Sequence, residues 1–262
     1  RAADIGEARR YGRDDGGGGV RSGQRITAAV AGIALCCPVA LGAKEQSAKE
    51  IAHVRQVAAA FGDCVVKRSA PVARAVILGN LHDGQIQKSA YRLIDGNCLV
   101  KANDGMGAMM KFTGDLFRYT MAQALVRMDY PVERAFDFSN ATPLLHLTPD
   151  TVSPELAGGT SRKAKKAVQN SAKEQMISAL SKYGECVSRQ APGDVHAVLL
   201  SPLNSRQEYD AFGKLAEPLG VCLSEGQLKF SREVLRGVLA LNFYRLAGAP
   251  AGAQVATLKV TH

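Results

Sequence analysis

The chain has 262 residues and a hydrophobic fraction of 46%, which supplies enough core for two modest domains or one large one and excludes a disordered chain. Tryptophan is absent, aromatic residues make up 6%, and Ala and Leu dominate the apolar set, so we predict a mainly α fold. Residues 1–43 hold six Arg and four acids, so removing them lowers the formal charge from +9 to +7, a mild excess that suits an anionic envelope surface and plain solubility equally.

The amino-terminal residues have the order of a bacterial signal peptide. Arg21 and Arg25 precede residues 26–41, a run of sixteen residues without a charge, and small residues and then a polar chain follow. This apolar run is shorter than the roughly 20 residues that a membrane span needs. We predict that residues 1–43 are a signal peptide with an atypical glycine-rich preface, and that the mature protein is periplasmic or secreted.

Cleavage is expected after Gly42 or Ala43, because small side chains fit the groove of a signal peptidase. Two alternatives remain open at this point. Residues 26–41 would anchor the protein in the inner membrane if they are retained. Cys36 or Cys37 would carry a lipid if the segment is a lipoprotein signal.

Two stretches of the remaining chain repeat capping residues, apolar spacing and a cysteine in the same order. SAKEIAHVRQVAAAFGDCV, residues 47–65, aligns with SAKEQMISALSKYGECV, residues 171–187, across a gap of two residues. Their apolar residues recur at helical spacing, so each stretch predicts an amphipathic helix. Each opens with a Ser-x-x-Glu capping box, Ser47 with Glu50 and Ser171 with Glu174.

The similarity continues through two further predicted helices. Pro71 and Pro192 each fit the first turn of a short second helix, because proline has no amide proton to satisfy there. A third helix is predicted over residues 84–95 after Asp83 in the first repeat, and after the capping residue Ser205 in the second. Each third helix is expected to end at a Cys followed by a Leu.

A block without gaps carries the last helix of each repeat. KFTGDLFRYTMAQALVR, residues 111–127, aligns with KFSREVLRGVLALNFYR, residues 229–245. Each has a Phe, a Thr or Ser N-cap, and an acid where the helix dipole favours negative charge. The matched pairs are Phe112 and Phe230, Thr113 and Ser231, Asp115 and Glu233, Arg118 and Arg236, and Arg127 and Arg245.

We therefore predict two tandem copies of a four-helix module, residues 44–130 and residues 166–246. Residues 131–165 are rich in proline and form the predicted linker, and residues 247–262 form a flexible tail. A basic run at the end of the linker includes no aromatic side chain on which nucleic-acid bases could stack, so we do not expect nucleic acid as a partner. The run indicates a solvated segment or the start of a helix. The run consists of Arg162, Lys163, Lys165 and Lys166.

Four cysteines remain after the predicted signal peptide, two in each repeat. Four cysteines allow three pairings, but a duplicated module should carry its bridge internally. We predict the disulfides Cys64–Cys98 and Cys186–Cys222, with Cα atoms about 4.4 to 6.8 Å apart. The alternative is a cytosolic protein with buried free thiols. No spacing of Cys or His residues fits a metal site.

Catalytic motifs with a recognised spacing are missing from the sequence, which lacks GxSxG, HExxH, a Walker loop and a complete GxGxxG. The five histidines do not recur between the repeats. We therefore expect no catalytic residue, no metal and no cofactor.

Arg118 and Arg236 are the candidate binding residues, since a guanidinium presents a fixed fork of donors to a carboxylate or phosphate. They lie early in the last helix of each repeat, while Asp63 and Glu185 precede the first cysteine. The competing interpretation is structural. In that case each arginine pairs with an acid of its own repeat or with carbonyl groups at a helix end.

The pattern YGECV, then CL, then LKFSREVLRGVLALNFYR resembles a group of uncharacterised exported bacterial proteins with a Cys-containing helical module. The resemblance implies export and duplication and assigns no activity. The leading hypothesis is therefore a non-catalytic periplasmic binding or envelope-associated protein whose partner is an anionic ligand or an envelope component. An enzyme of unrecognised type and a binder of polyanions or anionic surfaces are the alternatives.

Overall fold

The computed structural model describes residues 39–82, 85–86, 90–103, 115–223 and 231–248, with side chains from residue 48 onward. These residues are mainly helical and include no β-strand, which confirms the prediction of a mainly α fold. The predicted signal peptide up to residue 38 and the tail from residue 249 lie outside them.

The helices fall into two halves. The amino-terminal half, residues 39–130, holds α1 (Val39–Leu78), α2 (Gly96–Ala102) and α3 (Leu116–Asp129). A connecting segment, residues 131–161, holds the single-turn helix α4 (Pro154–Ala157). The carboxyl-terminal half, residues 162–248, holds α5 (Arg162–Gln190), α6 (Pro192–Leu200), α7 (Arg206–Lys214), α8 (Ala216–Val221) and α9 (Arg232–Gly248).

The two long helices begin earlier than the predicted capping boxes. The N-cap of α5 is Ser161, whose Oγ accepts a hydrogen bond from the amide of Ala164 at 3.1 Å. α1 begins at Val39, so the box at Ser47 also lies inside a helix. The boxes at Ser47 and Ser171 are therefore wrong as helix starts, because residues able to propagate a helix precede both of them.

Near a proline, each long helical stretch is interrupted and a short helical stretch follows it, as predicted. In α1, Ser69 has φ −140° and ψ 39°, which breaks the helix shortly before Pro71. Ala191, with φ −139° and ψ 62°, separates α5 from α6, whose first residue is Pro192. Because a proline ring disfavours helical dihedral angles in the residue before it, Pro192 accounts for the break at Ala191, whereas the break at Ser69 lies one residue further from Pro71 than this rule places it.

The region before Cys98 departs from the predicted third helix. Tyr91–Leu93 form a 3-10 helix, while residues 83–84 and 87–89 lie outside the described part of the chain. The prediction that Cys98 directly follows the third helix is wrong. The carboxylate of Asp95 accepts two backbone amides, including that of Cys98, and so starts the separate helix α2.

Predicted caps are present in the carboxyl-terminal half. Ser205 Oγ accepts the amide of Glu208 at 3.1 Å at the start of α7, and the following helix α8 ends directly before Cys222. Ser231 Oγ accepts the amide of Val234 at 3.3 Å at the start of α9. Three predicted cap residues lie outside the described part of the chain: Phe112, Thr113 and Phe230.

Both predicted disulfides are present. The Cα atoms are 5.5 Å apart in Cys64–Cys98 and 5.8 Å apart in Cys186–Cys222, which confirms the predicted pairing. Each bridge ties the long helix of one half to a later segment of the same half. Since disulfides persist in oxidising compartments, they indicate a location outside the cytoplasm.

The last helices of the two halves, α3 and α9, lie at the centre of the molecule. Each packs against the long helix of its own half, and the two pack against each other. A Cβ added to Gly237 would lie 2.4 Å from Cβ of Tyr119, so the glycine leaves room for the tyrosine at the crossing of α3 and α9. One continuous hydrophobic core therefore joins the two halves.

A glycine also lets each long helix approach the last helix of its half. A Cβ added to Gly62 would lie 2.6 Å from Thr120 Cγ2, and one added to Gly184 would lie 2.5 Å from Val238 Cγ1. The sequence alignment matches Gly62 with Gly184 and Thr120 with Val238. The two halves therefore place the same close approach at matched positions.

The connecting segment lies against the core instead of in solvent. Phe138 is buried, and the ring centroid of Phe136 lies 4.7 Å from that of Phe243 and 5.0 Å from that of His196. The basic run that begins at Arg162 forms the first turns of α5, which confirms the helix start among the two predicted possibilities.

Candidate functional site

Arg118 and Arg236 lie near the starts of α3 and α9, and both side chains are almost fully buried. Arg118 Nη1 donates to Asp115 Oδ2 at 2.6 Å and to His82 Nδ1 at 3.0 Å. Its Nη2 donates to Asn80 Oδ1 at 2.6 Å. Burial raises the pKa of Asp115, but the charge and the hydrogen bond of Arg118 outweigh burial and hold that pKa below its usual value.

Arg236 makes the corresponding contacts in its own half. Its Nη1 donates to Glu208 Oε1 at 2.7 Å, and its Nη2 donates to the carbonyls of Leu199 and Ser201, both at 2.9 Å. Burial lowers the pKa of Arg236 to about 10, although Glu208 opposes this. Both arginines thus fix the turn after the second helix of their half, and their predicted role in binding an anionic ligand stays a prediction.

A buried ion cluster joins the two halves. Arg55 of α1 donates from Nη2 to Glu208 Oε1 at 2.6 Å and from Nε to Glu233 Oε2 at 2.5 Å. Burial raises the pKa of Glu208, but the guanidinium groups of Arg55 and Arg236 outweigh burial and lower it. Sequence reasoning missed Arg55 because Glu208 is 153 residues away and the alignment gives Arg55 no counterpart in the second repeat.

Ser181, His146 and Glu185 form a hydrogen-bonded chain that the sequence analysis also missed. His146 Nε2 lies 2.7 Å from Glu185 Oε2, and His146 Nδ1 lies 2.9 Å from Ser181 Oγ. Because a carboxylate only accepts hydrogen bonds, Nε2 carries a proton and donates it to Glu185. A serine, a histidine and an acid follow one another in the same order in the catalytic triad of serine hydrolases. There Nε2 faces the serine and Nδ1 faces the acid, whereas here Nδ1 faces Ser181 and Nε2 faces Glu185.

The surroundings of this chain favour a structural role over a nucleophile. Ser181 lies inside α5, where the backbone amides already bond within the helix and cannot form an oxyanion hole. Glu185 also accepts hydrogen bonds from the amide of Leu144 at 3.1 Å and from Arg189 Nη2 at 2.6 Å. Burial raises the pKa of Glu185, but His146, Leu144 and Arg189 outweigh it and lower the pKa to about 2.

One face of α5 holds the connecting segment by its backbone. Ser171 Oγ donates to the carbonyl of Asp150 at 3.0 Å, and Glu174 Oε2 accepts the amide of the same residue at 3.0 Å. Arg189 Nη1 donates to the carbonyl of Phe138 at 2.7 Å. We call the residues of α5 that hydrogen-bond to the connecting segment, through its backbone or through the side chain of His146, the clamp face: Ser171, Glu174, Ser181, Glu185 and Arg189.

Apolar side chains beside the second cysteine of each half are exposed. Ile94 and Val100, on either side of Cys98, are 56% and 48% exposed. Val221 and Leu223, on either side of Cys222, are 66% and 41% exposed. We call these four side chains the cysteine-flanking surface.

No protein family, curated protein or solved structure matches this chain. Within the described residues, no helix is long and apolar enough to cross a membrane. The same residues contain no cluster of three or more His, Cys, Asp or Glu side chains that could hold a metal ion.

Proposed function

We propose that this protein is exported and acts in the cell envelope as a non-catalytic binding protein. The observation that carries this proposal is the cysteine-flanking surface, because exposed apolar side chains lie within four residues of the second cysteine in both halves. Exposed apolar side chains on a rigid scaffold are typical of surfaces that bind other proteins. The clamp face supports the proposal, since its polar groups hold the scaffold together.

Site-specific photo-crosslinking in the native envelope tests this proposal. A photoreactive amino acid at Ile94 or at Val221 should give a discrete crosslinked product of the same partner. The control is the same probe at Gln56, an exposed polar position of α1, which should give none. Uniform crosslinking at all three positions, or none at the two apolar ones, would contradict the proposal.

We infer that the two halves are copies of one helical module, predicted with four helices, whose third helix is divided into α7 and α8 in the carboxyl-terminal half. Matched prolines, internal disulfides and matched glycine contacts between long and last helices support this inference. Tyr119 and Gly237, which the alignment pairs, also contact each other, as matched residues do at a two-fold axis. An experimental structure in which residues 47–128 do not superpose on residues 171–245 would contradict it.

Hydrolase activity is the alternative that the Ser181–His146–Glu185 chain favours. Incubation with a fluorophosphonate probe, followed by peptide mapping, tests whether Ser181 is a nucleophile. We expect no labelling, because the backbone amides around Ser181 are already bonded. Labelling that disappears in Ser181→Ala would replace the binding proposal with an enzymatic one.

Attachment to an anionic membrane surface is a second candidate function, and a basic stripe on α5 supports it. Arg162, Lys166 and Lys173 are exposed and lie on one side of the helix, since their spacing of four and seven residues returns to the same face. No acid occupies the first turn of α5, where the helix dipole would favour one. Binding to vesicles of anionic phospholipid should weaken steeply with salt and be lost in Lys166→Glu/Lys173→Glu, whereas binding that is insensitive to salt would refute attachment through this stripe.

A further inference from the structure

Arg245 of α9 is a buried cation that contacts no carboxylate among the described residues. The side chain is 4% exposed, and Nη2 donates to the carbonyl of Leu145 at 2.6 Å. Its Nε and Nη1 atoms have no hydrogen-bond acceptor within the described chain. A buried charge with unpaired donors is costly, so such a group points to a ligand that would pair with it.

The matched arginine of the other half shows what Arg245 lacks. Arg127 donates from Nη2 to Asp63 Oδ1 at 2.6 Å and is partly exposed. Glu185 matches Asp63 in the alignment, but its carboxylate is already bonded to His146 and Arg189. Arg245 therefore keeps the charge of the repeated position, while the matched acid acts on it only at a distance and forms no ion pair with it.

A second buried guanidinium is connected to the same place. The carbonyl of Leu145 that accepts from Arg245 also accepts from Asn80 Nδ2 at 3.1 Å, and Asn80 Oδ1 accepts from Arg118 at 2.6 Å. Arg118 Nε and His82 Nε2 are buried and, within the described residues, have no acceptor either. Asp115 neutralises the charge of Arg118. Of these two guanidinium groups, only Arg245 has no carboxylate in contact among the described residues.

We propose that Arg245, with Arg118 beside it, binds a small oxyanion: a phosphate, a sulfate or a carboxylate group. An oxyanion supplies both the negative charge and the acceptors for a guanidinium fork. Burial and the nearby charge of Arg118 lower the pKa of Arg245 to about 10, although the charge of Glu185 opposes them. A bound anion would add to that opposition. The side chain of Leu145 is exposed, so the site lies beneath a surface segment of the chain.

Thermal unfolding of the intact, oxidised protein tests the site with inorganic phosphate as the probe. The melting temperature should rise saturably, by about 5 °C when phosphate reaches roughly 100 times its dissociation constant. Sodium chloride at matched ionic strength should give no such rise. Parallel titrations with sulfate and acetate show which oxyanion the site prefers.

Arg245→Met should abolish the phosphate-dependent rise, and its folding is checked by far-UV circular dichroism. Arg127→Met is the matched control and should keep the full rise, because that arginine has its own acid. Arg245→Lys keeps the positive charge but loses the forked donors of the guanidinium group, so phosphate should raise its melting temperature by less than that of the wild type.

A wild-type response to all three oxyanions no larger than the response to chloride would overturn the proposal, whatever the variants do. An equal rise in folded Arg245→Met would overturn it as well. The cysteine-flanking surface is not involved in this test, so the anion site and the proposed binding function can fail independently.

Discussion

Glu185 accepts more hydrogen bonds than any other carboxylate of the clamp face. Its carboxylate accepts hydrogen bonds from His146, from the amide of Leu144 and from Arg189, and these donors outweigh burial and lower its pKa to about 2. A folded-state pKa below the unfolded value near 4.3 stabilises the protein above about pH 4.3, and that stabilisation is lost as pH falls toward 2. We expect Glu185→Gln to lower the free energy of unfolding by about 3 kcal/mol at pH 7.

Asp63→Asn is the control for this change, because Asp63 holds the matched position in the other half. Its carboxylate is half exposed and, within the described part of the chain, pairs only with Arg127, so the expected loss is below about 1 kcal/mol. Urea unfolding at a series of pH values measures both variants. The loss in Glu185→Gln should shrink between pH 5 and pH 2, and a loss that does not change with pH would contradict the assigned ionisation.

His196 gives the protein a second sensitivity to acid. Its Nε2 donates to the carbonyl of Tyr130 at 2.9 Å, and its ring stacks on Phe243 with centroids 5.2 Å apart. Burial lowers the pKa of His196, so the unfolded chain, whose histidine titrates near pH 6.5, takes up the proton first as pH falls. Stability should therefore decrease below about pH 6.5.

We expect His196→Phe to lose less stability than the wild type between pH 7 and pH 5, because the replacement cannot titrate. Its absolute stability is lower, since the carbonyl of Tyr130 loses its donor. Urea unfolding at the two pH values measures the difference. Equal losses in the two proteins would assign the acid sensitivity to other groups.

For single residues, the sequence predicts which side chains form contacts better than it predicts which residues they contact. The alignment singles out Glu185, Arg236 and Arg245 because each has a counterpart in the other repeat. It does not predict that His146 contacts Glu185 or that Leu145 contacts Arg245. His146 and Leu145 belong to the connecting segment, which has no counterpart in the alignment. Contacts between distant parts of the chain depend on packing and leave no local pattern.

Gly184 shows how one residue sets the distance between two helices. A Cβ at this position would lie 2.5 Å from Val238 Cγ1 and 3.0 Å from the carbonyl oxygen of the same residue. Because the backbone of α9 cannot yield as a side chain does, Gly184→Ala should push α5 away from α9. We expect a loss of about 1 to 3 kcal/mol in the free energy of unfolding.

Gly213→Ala in α7 is the matched control, because a Cβ there would meet no atom within 4 Å. Alanine favours a helix more than glycine does, so this variant should gain up to about 1 kcal/mol. Chemical denaturation measures both substitutions. Equal effects at the two positions would show that helix propensity alone, and not the approach of α5 to α9, governs Gly184.

Helix boundaries that follow from a single local rule are predictable from this sequence. Pro192 locates the break at the residue before it, Pro71 marks the break in α1 to within two residues, and Ser205 locates the start of α7. The boxes at Ser47 and Ser171 fail because a capping sequence marks a helix start only where the preceding residues do not propagate a helix. Helix α2 is missed because the prediction ends a helix at Cys98, whereas Asp95 starts a new helix there and Cys98 lies inside it.

The whole molecule has one core, which the predicted arrangement of two modules and a linker does not describe. α3 and α9 pack together, and Tyr244 of α9 donates to Asp129 Oδ2 of α3 at 2.6 Å. The ion cluster of Arg55 adds a second polar contact between the halves. An alignment of repeats shows that the halves are similar. It carries no information on whether the halves pack against each other.

The disulfides and the shared core together predict how the protein unfolds. Each bridge closes a loop of 34 or 36 residues, and constraining such a loop in the unfolded chain stabilises the fold by about 3 to 4 kcal/mol on the entropic estimate. Because the halves share one core, that stabilisation should act on the whole molecule. We expect a single calorimetric transition, with equal van't Hoff and calorimetric enthalpies, in the oxidised protein.

Cys64→Ala/Cys98→Ala and Cys186→Ala/Cys222→Ala should each move the entire transition down by about 10 °C without splitting it. Each pair serves as the control for the other, since the two loops are nearly equal in length. Reduction of the wild-type protein should lower the melting temperature further than either pair, because it opens both loops. Two separate transitions, with each pair of substitutions shifting only one of them, would show that the halves unfold independently and that the contact between α3 and α9 does not couple them.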